Sequence, residues 1–128
     1  MIAGVTQNTE IISGRIDTYD GLEQTFYISD TIKALDFAIQ NSAKVVNASY
    51  SGPSFSQASY DSIERAKDSG VLLIVAAGNN TSDNDDTPSF PANYDLDNII
   101  TVGSVGPDDT IASYSNYGKN TVDIFAPG

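Results

Sequence analysis

Residues 71–80 (VLLIVAAGNN) begin with an apolar run, continue with small residues and end with two asparagines, whose side chains are amides. An amide held in place at the end of a strand can donate a hydrogen bond to an oxygen that gains negative charge during a reaction. The small residues Ala76, Ala77 and Gly78 before it would let the backbone of a ligand approach closely. Gly78 and Asn79 also suit an ordinary strand-ending turn, because both residues tolerate a positive φ, and the local pattern alone favours that turn.

A second apolar segment, residues 44–49 (KVVNAS), ends in a similar way, on Ser49 followed by Tyr50, Ser51 and Gly52. The carboxyl ends of parallel strands lie at one edge of a sheet, and ligands bind at that edge in proteins of this architecture. The two strand ends are therefore the candidate binding site.

Histidine and cysteine are both absent from the 128 residues. No reaction that needs an imidazole as its base can be completed by these residues alone. Without cysteine, a disulfide framework and a zinc site built from thiolates are also excluded.

The length and composition are those of one folded domain. The chain of 128 residues is 40% hydrophobic and is long enough to bury a core. Its formal net charge is -11, from 17 acidic and 6 basic residues, which argues against nucleic acid or an anionic membrane as a partner. The sequence has no apolar stretch of transmembrane length, and we expect no signal peptide at Met1.

Hydrophobic periodicity predicts alternating strands and helices. Residues 29–41 and 56–69 carry apolar residues at helical spacing, and Gly70 is placed to end the second helix. The predicted strands are residues 10–16, 44–49, 71–76 and 99–105, with a hairpin in residues 111–125. Such alternation implies right-handed crossovers. We therefore expect an α/β fold in which a parallel β-sheet is flanked by helices on both faces.

Seven segments follow one another in the order found in a single enzyme family. They are residues 4–5 with 8–12, residues 35–52, residues 70–79, Phe90-Pro91-Ala92, residues 100–103 (ITVG), residues 112–115 (ASYS) and Ala126-Pro127-Gly128. On these segments the chain resembles the subtilisin-like serine proteases (subtilases, peptidase family S8) over nearly all of its length. The resemblance implies an incomplete form of the three-layer subtilisin fold, and peptide-bond hydrolysis in the parent protein.

The resemblance assigns roles to residues at both strand ends. It implies that the Asn79 side chain is the oxyanion-hole amide, which stabilises the tetrahedral intermediate during peptide-bond cleavage. The pocket for the substrate residue before the scissile bond would have two walls, which are Ala76, Ala77 and Gly78 on one side and Ser49, Tyr50 and Ser51 on the other. Phe90 belongs to an X-Pro bond at the base of this pocket, and that bond is cis in many subtilases.

The catalytic triad of the family is not contained in the 128 residues. In subtilases the serine lies in a Gly-Thr-Ser motif after the Ala-Pro-Gly element, and the histidine lies in a His-Gly-Thr-His motif before the Gly-Val segment. We therefore expect residues 1–128 to be a partial catalytic domain that is inactive by itself, from a parent that the resemblance implies is secreted. The severed sheet edges of such a fragment predict self-association.

The resemblance also points to a weak cation site. Asp123 matches a carboxylate near a sodium or calcium site in some subtilases, although the chemistry itself requires no cofactor. Residues 83–86 (DNDD) are acidic too, but they lack the complete calcium-loop pattern, and we interpret them mainly as a solvated loop.

Two other functions stay open on the sequence. The chain could be a non-catalytic subtilase-like module that keeps the cleft and binds peptides or a protein partner. It could also be an unrelated doubly wound domain, such as a receiver or nucleotide-binding domain, but it contains no GxGxxG or Walker motif. We favour the protease fragment, whose partner is a peptide or protein substrate.

Overall fold

The computed structural model describes residues 8–19 and 24–128. Within these residues the elements are, in chain order, β1 (Asp17–Tyr19), β2 (Gln24–Phe26), α1 (Ile28–Gln40), β3 (Val45–Ala48), α2 (Gln57–Asp68), β4 (Leu72–Ala76), β5 (Ile99–Val105) and β6 (Ile124–Pro127). Gly4 and Val5, the first residues of the resemblance, lie outside the described part of the chain.

Four strands form one parallel sheet in the order β3-β4-β5-β6. Every neighbouring pair is parallel; Val45 lies beside Leu72, and Leu73 lies beside Ile99. Runs of Val, Ile and Leu are typical of sheets that crossover helices bury. The predicted α/β class with a parallel sheet is confirmed.

The helices lie close to where the sequence predicts them. The Ser56 hydroxyl caps α2 by accepting a hydrogen bond from the Ser59 amide at 3.3 Å. Gly70, at φ +71°, follows α2 in the left-handed conformation that glycine adopts most readily. The chain then enters β4 directly. Among the described residues, no helix combines the length and the apolar character needed to cross a membrane.

Both described helices pack on the same face of the sheet. They contact each other, and Leu35 of α1 and Ile63 of α2 belong to one core together with Val75 of β4. None of these three side chains is more than 8% exposed. The sequence predicts helices on both faces, but within residues 8–19 and 24–128 both helices share one core and leave the second face without a helix.

The residues of β4 alternate between these two faces. Leu73 and Val75 are buried against the helices, whereas Leu72, Ile74 and Ala76 are only partly buried on the other side. Consecutive side chains of a strand point in opposite directions, so this pattern identifies the covered face. The helix-free face continues to the carboxyl ends of the strands, where the candidate site lies.

The strand predicted over residues 10–16 is wrong. These residues are not in a strand, and Ile11 is 87% exposed. Among the described residues the first strand is instead Asp17–Tyr19, which pairs with Gln24–Phe26 in an antiparallel ribbon. In the described part of the chain no strand pairs with residues 10–16, and a β-branched run alone does not supply the partner that a strand needs.

The hairpin predicted in residues 111–125 is also wrong, because the C-terminal segment extends the parallel sheet. β6 pairs in parallel with β5, and Ile111 forms only an isolated antiparallel bridge with Val105. The edge of β5 offers β6 a row of backbone partners. Hydrophobic periodicity cannot indicate which edge a short strand will join.

Candidate functional site

The candidate site is an open groove of about 350 Å³ at the carboxyl ends of the parallel strands. Ser49 lines it from the β3 side, and Ala76, Ala77, Gly78 and Asn79 line it from the β4 side. Residues of β5 and β6 and of the loop between them complete the lining. The structure therefore brings together the two strand ends that the sequence identifies.

Asn79 follows β4 after only two residues, Ala77 and Gly78. Its side chain is exposed, lines the groove and has no hydrogen-bond partner among the described residues. Gly78 before it has φ +117°, a conformation that residues with a side chain rarely adopt. The Asn79 carboxamide is thus available to donate a hydrogen bond to a ligand in the groove.

The segment after β3 approaches Gly78 closely. A Cβ built at Gly78 would lie 3.4 Å from the hydroxyl oxygen of Ser51. Ser49 and Ser51 are both exposed, as alternating residues of an extended segment can be. The two strand ends therefore lie side by side.

Tyr50, between these two serines, turns into the protein. Its side chain is partly buried and packs against the core. The pKa of the Tyr50 phenol is raised, and burial is the main cause. A hydrogen bond with the Thr31 side chain lowers the pKa and the nearby Tyr94 phenol raises it, so the net shift stays upward. The phenol thus contacts residues behind the segment, and the serines are the side chains that stay exposed at its front.

Phe90 lies behind the end of β3, and its bond to Pro91 is cis. Gly52 and Phe90 exchange two backbone hydrogen bonds, of 2.9 Å and 2.8 Å, in an antiparallel bridge. The Phe90 ring packs against Phe55 and Tyr94, with ring centroids 5.5 Å and 5.0 Å apart. In the described residues Phe90 is outside the lining of the groove, and it holds the segment that contains Ser51 from behind.

Two buried asparagines bond the loop that follows β4. The side-chain oxygen of Asn116, a residue 2% exposed, accepts hydrogen bonds from the backbone amides of Asn80 at 2.7 Å and Ser82 at 3.2 Å. Its side-chain nitrogen donates to the Ala77 carbonyl at 3.2 Å and to the side-chain oxygen of Asn84 at 2.9 Å. Asn116 is not recognisable as functional from the sequence alone, because neither periodicity nor charge marks a buried amide in a loop.

Comparison with known proteins decides the family. The family model described as "Peptidase_S8: Subtilase family" matches residues 1–128. The chain belongs to the subtilase family. It is 34% identical over 131 residues to "Subtilisin-like protease 2" of Plasmodium falciparum, in a match that covers 99% of this chain and 10% of that protein. It is 32% identical over 128 residues to "Subtilisin DY" of Bacillus licheniformis, in a match that covers 99% of this chain and 44% of that protein.

The fold of this subtilase is also similar to solved structures. One is described as "Crystal structure of a cold adapted subtilisin-like serine proteinase"; it matches with a TM-score of 0.70 at 35% identity and covers 81% of this chain and 37% of that chain. The resemblance inferred from the sequence motifs is confirmed. The chain spans less than half the length of these relatives.

Asp123, which sequence analysis links to a cation site, bonds the backbone of this subtilase. Its carboxylate accepts a hydrogen bond from the Thr101 amide at 2.7 Å, and its own amide donates to the Thr101 carbonyl at 3.1 Å. Within residues 8–19 and 24–128, no group of three or more acidic, His or Cys side chains could hold a metal ion. Sodium or calcium binding near Asp123 stays a prediction.

The acidic segment 83–86 forms hydrogen bonds with a neighbouring loop through Asp85. The Asp85 carboxylate accepts hydrogen bonds from the Thr121 hydroxyl at 2.8 Å and from the Asn120 side chain at 2.9 Å. These bonds, with the Thr121 hydroxyl contributing most, lower the pKa of the Asp85 carboxyl. Asp85 therefore joins two loops of the subtilase at its surface.

Proposed function

We propose that residues 1–128 are the central part of the catalytic domain of a subtilisin-like serine endopeptidase, with Asn79 as the oxyanion-hole donor. The observation that carries this proposal is the Asn79 side chain, which lines the groove, is exposed and lacks a partner in the described part of the chain. Membership of the subtilase family supports the reaction, because the relatives are named as proteases.

Hydrolysis of a peptide bond develops negative charge on the carbonyl oxygen as the tetrahedral intermediate forms. A fixed amide donor within about 3 Å of that oxygen stabilises the intermediate more than the substrate, and so raises the turnover number. Asn79 suits this role because it lies three residues after the end of a parallel strand and its carboxamide has no partner among the described residues.

The substrate in this proposal lies between the two strand ends. Residues 49–51 contact one side of the peptide, and residues 76–78 form the opposite wall beside the residue that precedes the scissile bond. The space that a Gly78 side chain would need is occupied by the Asn116 carboxamide, because a Cβ there would lie 2.5 Å from the Asn116 side-chain nitrogen. The packing of Tyr50 and Phe90 behind residues 49–52 would keep the first wall at a fixed distance.

The nucleophile and the base are assigned to other residues of the intact protein. The 128 residues contain no histidine, so none of their serines has an imidazole to activate it. Ser115 lines the groove but is 2% exposed, and its hydroxyl bonds the Ser104 amide and the Asn116 carbonyl, each at 2.9 Å. A buried hydroxyl that already makes two hydrogen bonds within the protein is a poor nucleophile.

Peptide binding without cleavage is the second candidate function. It is favoured by the absence of histidine together with a groove that is already formed by these residues. Both functions place a peptide at the same strand ends, and they differ only in turnover.

The test compares the intact protein with residues 1–128 alone, using a fluorophosphonate probe for activated serines and a set of peptide substrates. We expect the intact protein to cleave peptides and to be labelled on one serine outside residues 1–128. We expect the isolated residues 1–128 to do neither. Labelling of a serine within residues 1–128 would contradict the proposal. An intact protein that binds peptides and does not cleave them would support the second function.

A further inference from the structure

We infer that Asn116 is a positioning residue for Asn79: its buried carboxamide fixes the chain on both sides of the oxyanion donor. The inference rests on the proposed function, because it takes Asn79 to be that donor. Electrostatic catalysis requires the donor to be in place before charge develops on the substrate. The Asn79 side chain has no bond of its own in the described part of the chain, so its position depends on its neighbours.

Asn116 holds the residues that precede Asn79. Its side-chain nitrogen donates to the Ala77 carbonyl at 3.2 Å, and its backbone amide donates to the Gly78 carbonyl at 2.9 Å. Gly78 also packs so closely that a Cβ built there would lie 2.5 Å from the Asn116 side-chain nitrogen. The end of β4 is therefore attached to Asn116 by two hydrogen bonds and by direct contact.

Asn116 also holds the residues that follow Asn79. Its side-chain oxygen accepts from the Asn80 amide at 2.7 Å and from the Ser82 amide at 3.2 Å. Thr81 between these two amides has φ +56°, so the chain turns sharply around the Asn116 oxygen. One side chain thus bonds the backbone before and after Asn79 and leaves the Asn79 carboxamide available to a ligand.

Asn84 fixes the orientation of the Asn116 carboxamide. It is 0% exposed; its side-chain oxygen accepts from the Asn116 nitrogen at 2.9 Å, and its own nitrogen donates to the Ala77 carbonyl at 2.9 Å. The Tyr117 carbonyl and the Asn93 side chain bond the Asn84 backbone at 2.7 Å and 2.8 Å. Both hydrogens and both acceptor positions of the Asn116 carboxamide are used, so its oxygen and nitrogen are not interchangeable.

The substitution Asn116→Asp would keep the shape of the side chain and remove the two hydrogen bonds that its nitrogen donates. One carboxylate oxygen would still accept from the Asn80 and Ser82 amides. The other oxygen would face two acceptors, the Ala77 carbonyl and the Asn84 oxygen, and buried acceptors that face each other repel. We therefore expect the loop to move, and a displacement of about 1 Å can lower a catalytic rate about a hundredfold.

A double-mutant cycle in the intact protein tests the inference. The constants kcat and KM are measured for the wild type, Asn79→Ala, Asn116→Asp and the double variant. We expect Asn116→Asp to lower kcat about tenfold to a hundredfold and to change KM less than about twofold. In the Asn79→Ala background the same substitution should lower kcat less than about threefold, because no donor is left to position.

Asn98 supplies the matched control, because it is a third buried asparagine and lies at the opposite end of β4. It is 8% exposed, and its side-chain nitrogen donates to the Val71 carbonyl at 3.0 Å. Asn98→Asp should lower the melting temperature in the way that Asn116→Asp does, since both bury a carboxylate against carbonyl oxygens. Its kcat should stay within about twofold of the wild type, as expected for a substitution remote from the reaction.

The outcomes separate this inference from the proposed function. If Asn116→Asp lowers kcat equally in both backgrounds, Asn116 does not act through Asn79, and the inference is wrong although the oxyanion role stands. If Asn116→Asp leaves kcat unchanged, or if Asn98→Asp lowers it as much, the inference is wrong as well. If Asn79→Ala leaves kcat unchanged, the proposed function fails and the inference fails with it.

Hydrogen exchange in the wild-type protein provides a second test that does not depend on a folded variant. The backbone amides of Asn80 and Ser82 donate to the buried Asn116 oxygen. We expect them to exchange at least about a hundredfold more slowly than in an unstructured peptide of the same sequence. Exchange at the peptide rate would overturn the inference.

Discussion

The two strand ends beside the groove are held in different ways. The end of β3 is held by backbone hydrogen bonds and apolar packing, since Gly52 and Phe90 exchange two hydrogen bonds and aromatic rings pack behind them. The end of β4 is held through side chains, since the buried carboxamides of Asn84 and Asn116 bond the backbone of residues 77–82.

This difference fits the two tasks that we propose for the strand ends. An extended peptide is bound through backbone hydrogen bonds, which almost any residue type can make, so a substrate wall needs little more than a regular backbone. An oxyanion donor must be held at one point, which requires bonds to the chain on both sides of it. Hydrogen-bonding side chains should therefore matter little in the frame of the first wall and strongly in the frame of the second.

Adding one methyl group to each wall should give the largest contrast. Gly78→Ala should reduce the free energy of unfolding by about 2–5 kcal/mol, since positive φ and overlap with Asn116 are each costly. The observed φ is +117°, and the new Cβ would lie 2.5 Å from the Asn116 nitrogen. Gly52→Ala is the matched control, because a Cβ there meets nothing within 4 Å. We expect it to change stability by less than about 0.5 kcal/mol.

Denaturant unfolding of the two glycine variants in the same protein measures this contrast. Equal losses of stability would show that the two walls are held alike, against the structure. A Gly78→Ala variant as stable as the wild type would show that the loop after β4 tolerates a shift away from Asn116.

A smaller difference should appear in the pH dependence of stability, because the Asp85 carboxylate titrates and the buried amides of Asn84 and Asn116 do not. Hydrogen bonds lower the pKa of the Asp85 carboxyl, so its contribution is complete above the ordinary value of about 3.9 and is lost as the pH falls through the lower folded value. Asp85→Asn should therefore lower the melting temperature slightly at neutral pH, because the contact is exposed. This deficit should shrink below about pH 4.

The amides of Asn84 and Asn116 do not titrate, so the deficit of Gly78→Ala should persist over the same pH range. Melting temperatures of both variants, followed from neutral pH into acid, test this pair of expectations. A constant deficit for Asp85→Asn would contradict the assigned role of its charge.

The parallel core could be predicted because its residues carry strong local signals. The helical spacing in residues 56–69 and the stop at Gly70 mark α2, and a continuous apolar run marks β4. β1 and β6 were not predictable in this way, because a short strand is defined by the edge that it joins. Ile11 lies in a β-branched run that predicts a strand, yet it is outside any strand and is 87% exposed.

The candidate site shows the same division. Small residues and amides at the two strand ends indicate Asn79 in the sequence, and the family resemblance supplies its expected role. The sequence could not show that Tyr50 turns into the core while Ser49 and Ser51 stay exposed. Side chains alternate between the two faces of a strand, but which residues face the core depends on how the strand is paired in the sheet. The sequence also could not show that Asn84 contacts Asn116, because the two residues are 32 positions apart in the chain.

The kinetic effect of Asn79→Ala in the intact protein tests most directly whether Asn79 is a transition-state donor. We expect kcat to fall by about 10²–10³ and KM to change less than about twofold, because an oxyanion donor acts mainly in the transition state. Asn80→Ala, which removes the neighbouring exposed side chain, should leave both constants within about threefold of the wild type. An Asn79→Ala variant that keeps its kcat and raises KM would show that Asn79 binds substrate and is not the oxyanion donor.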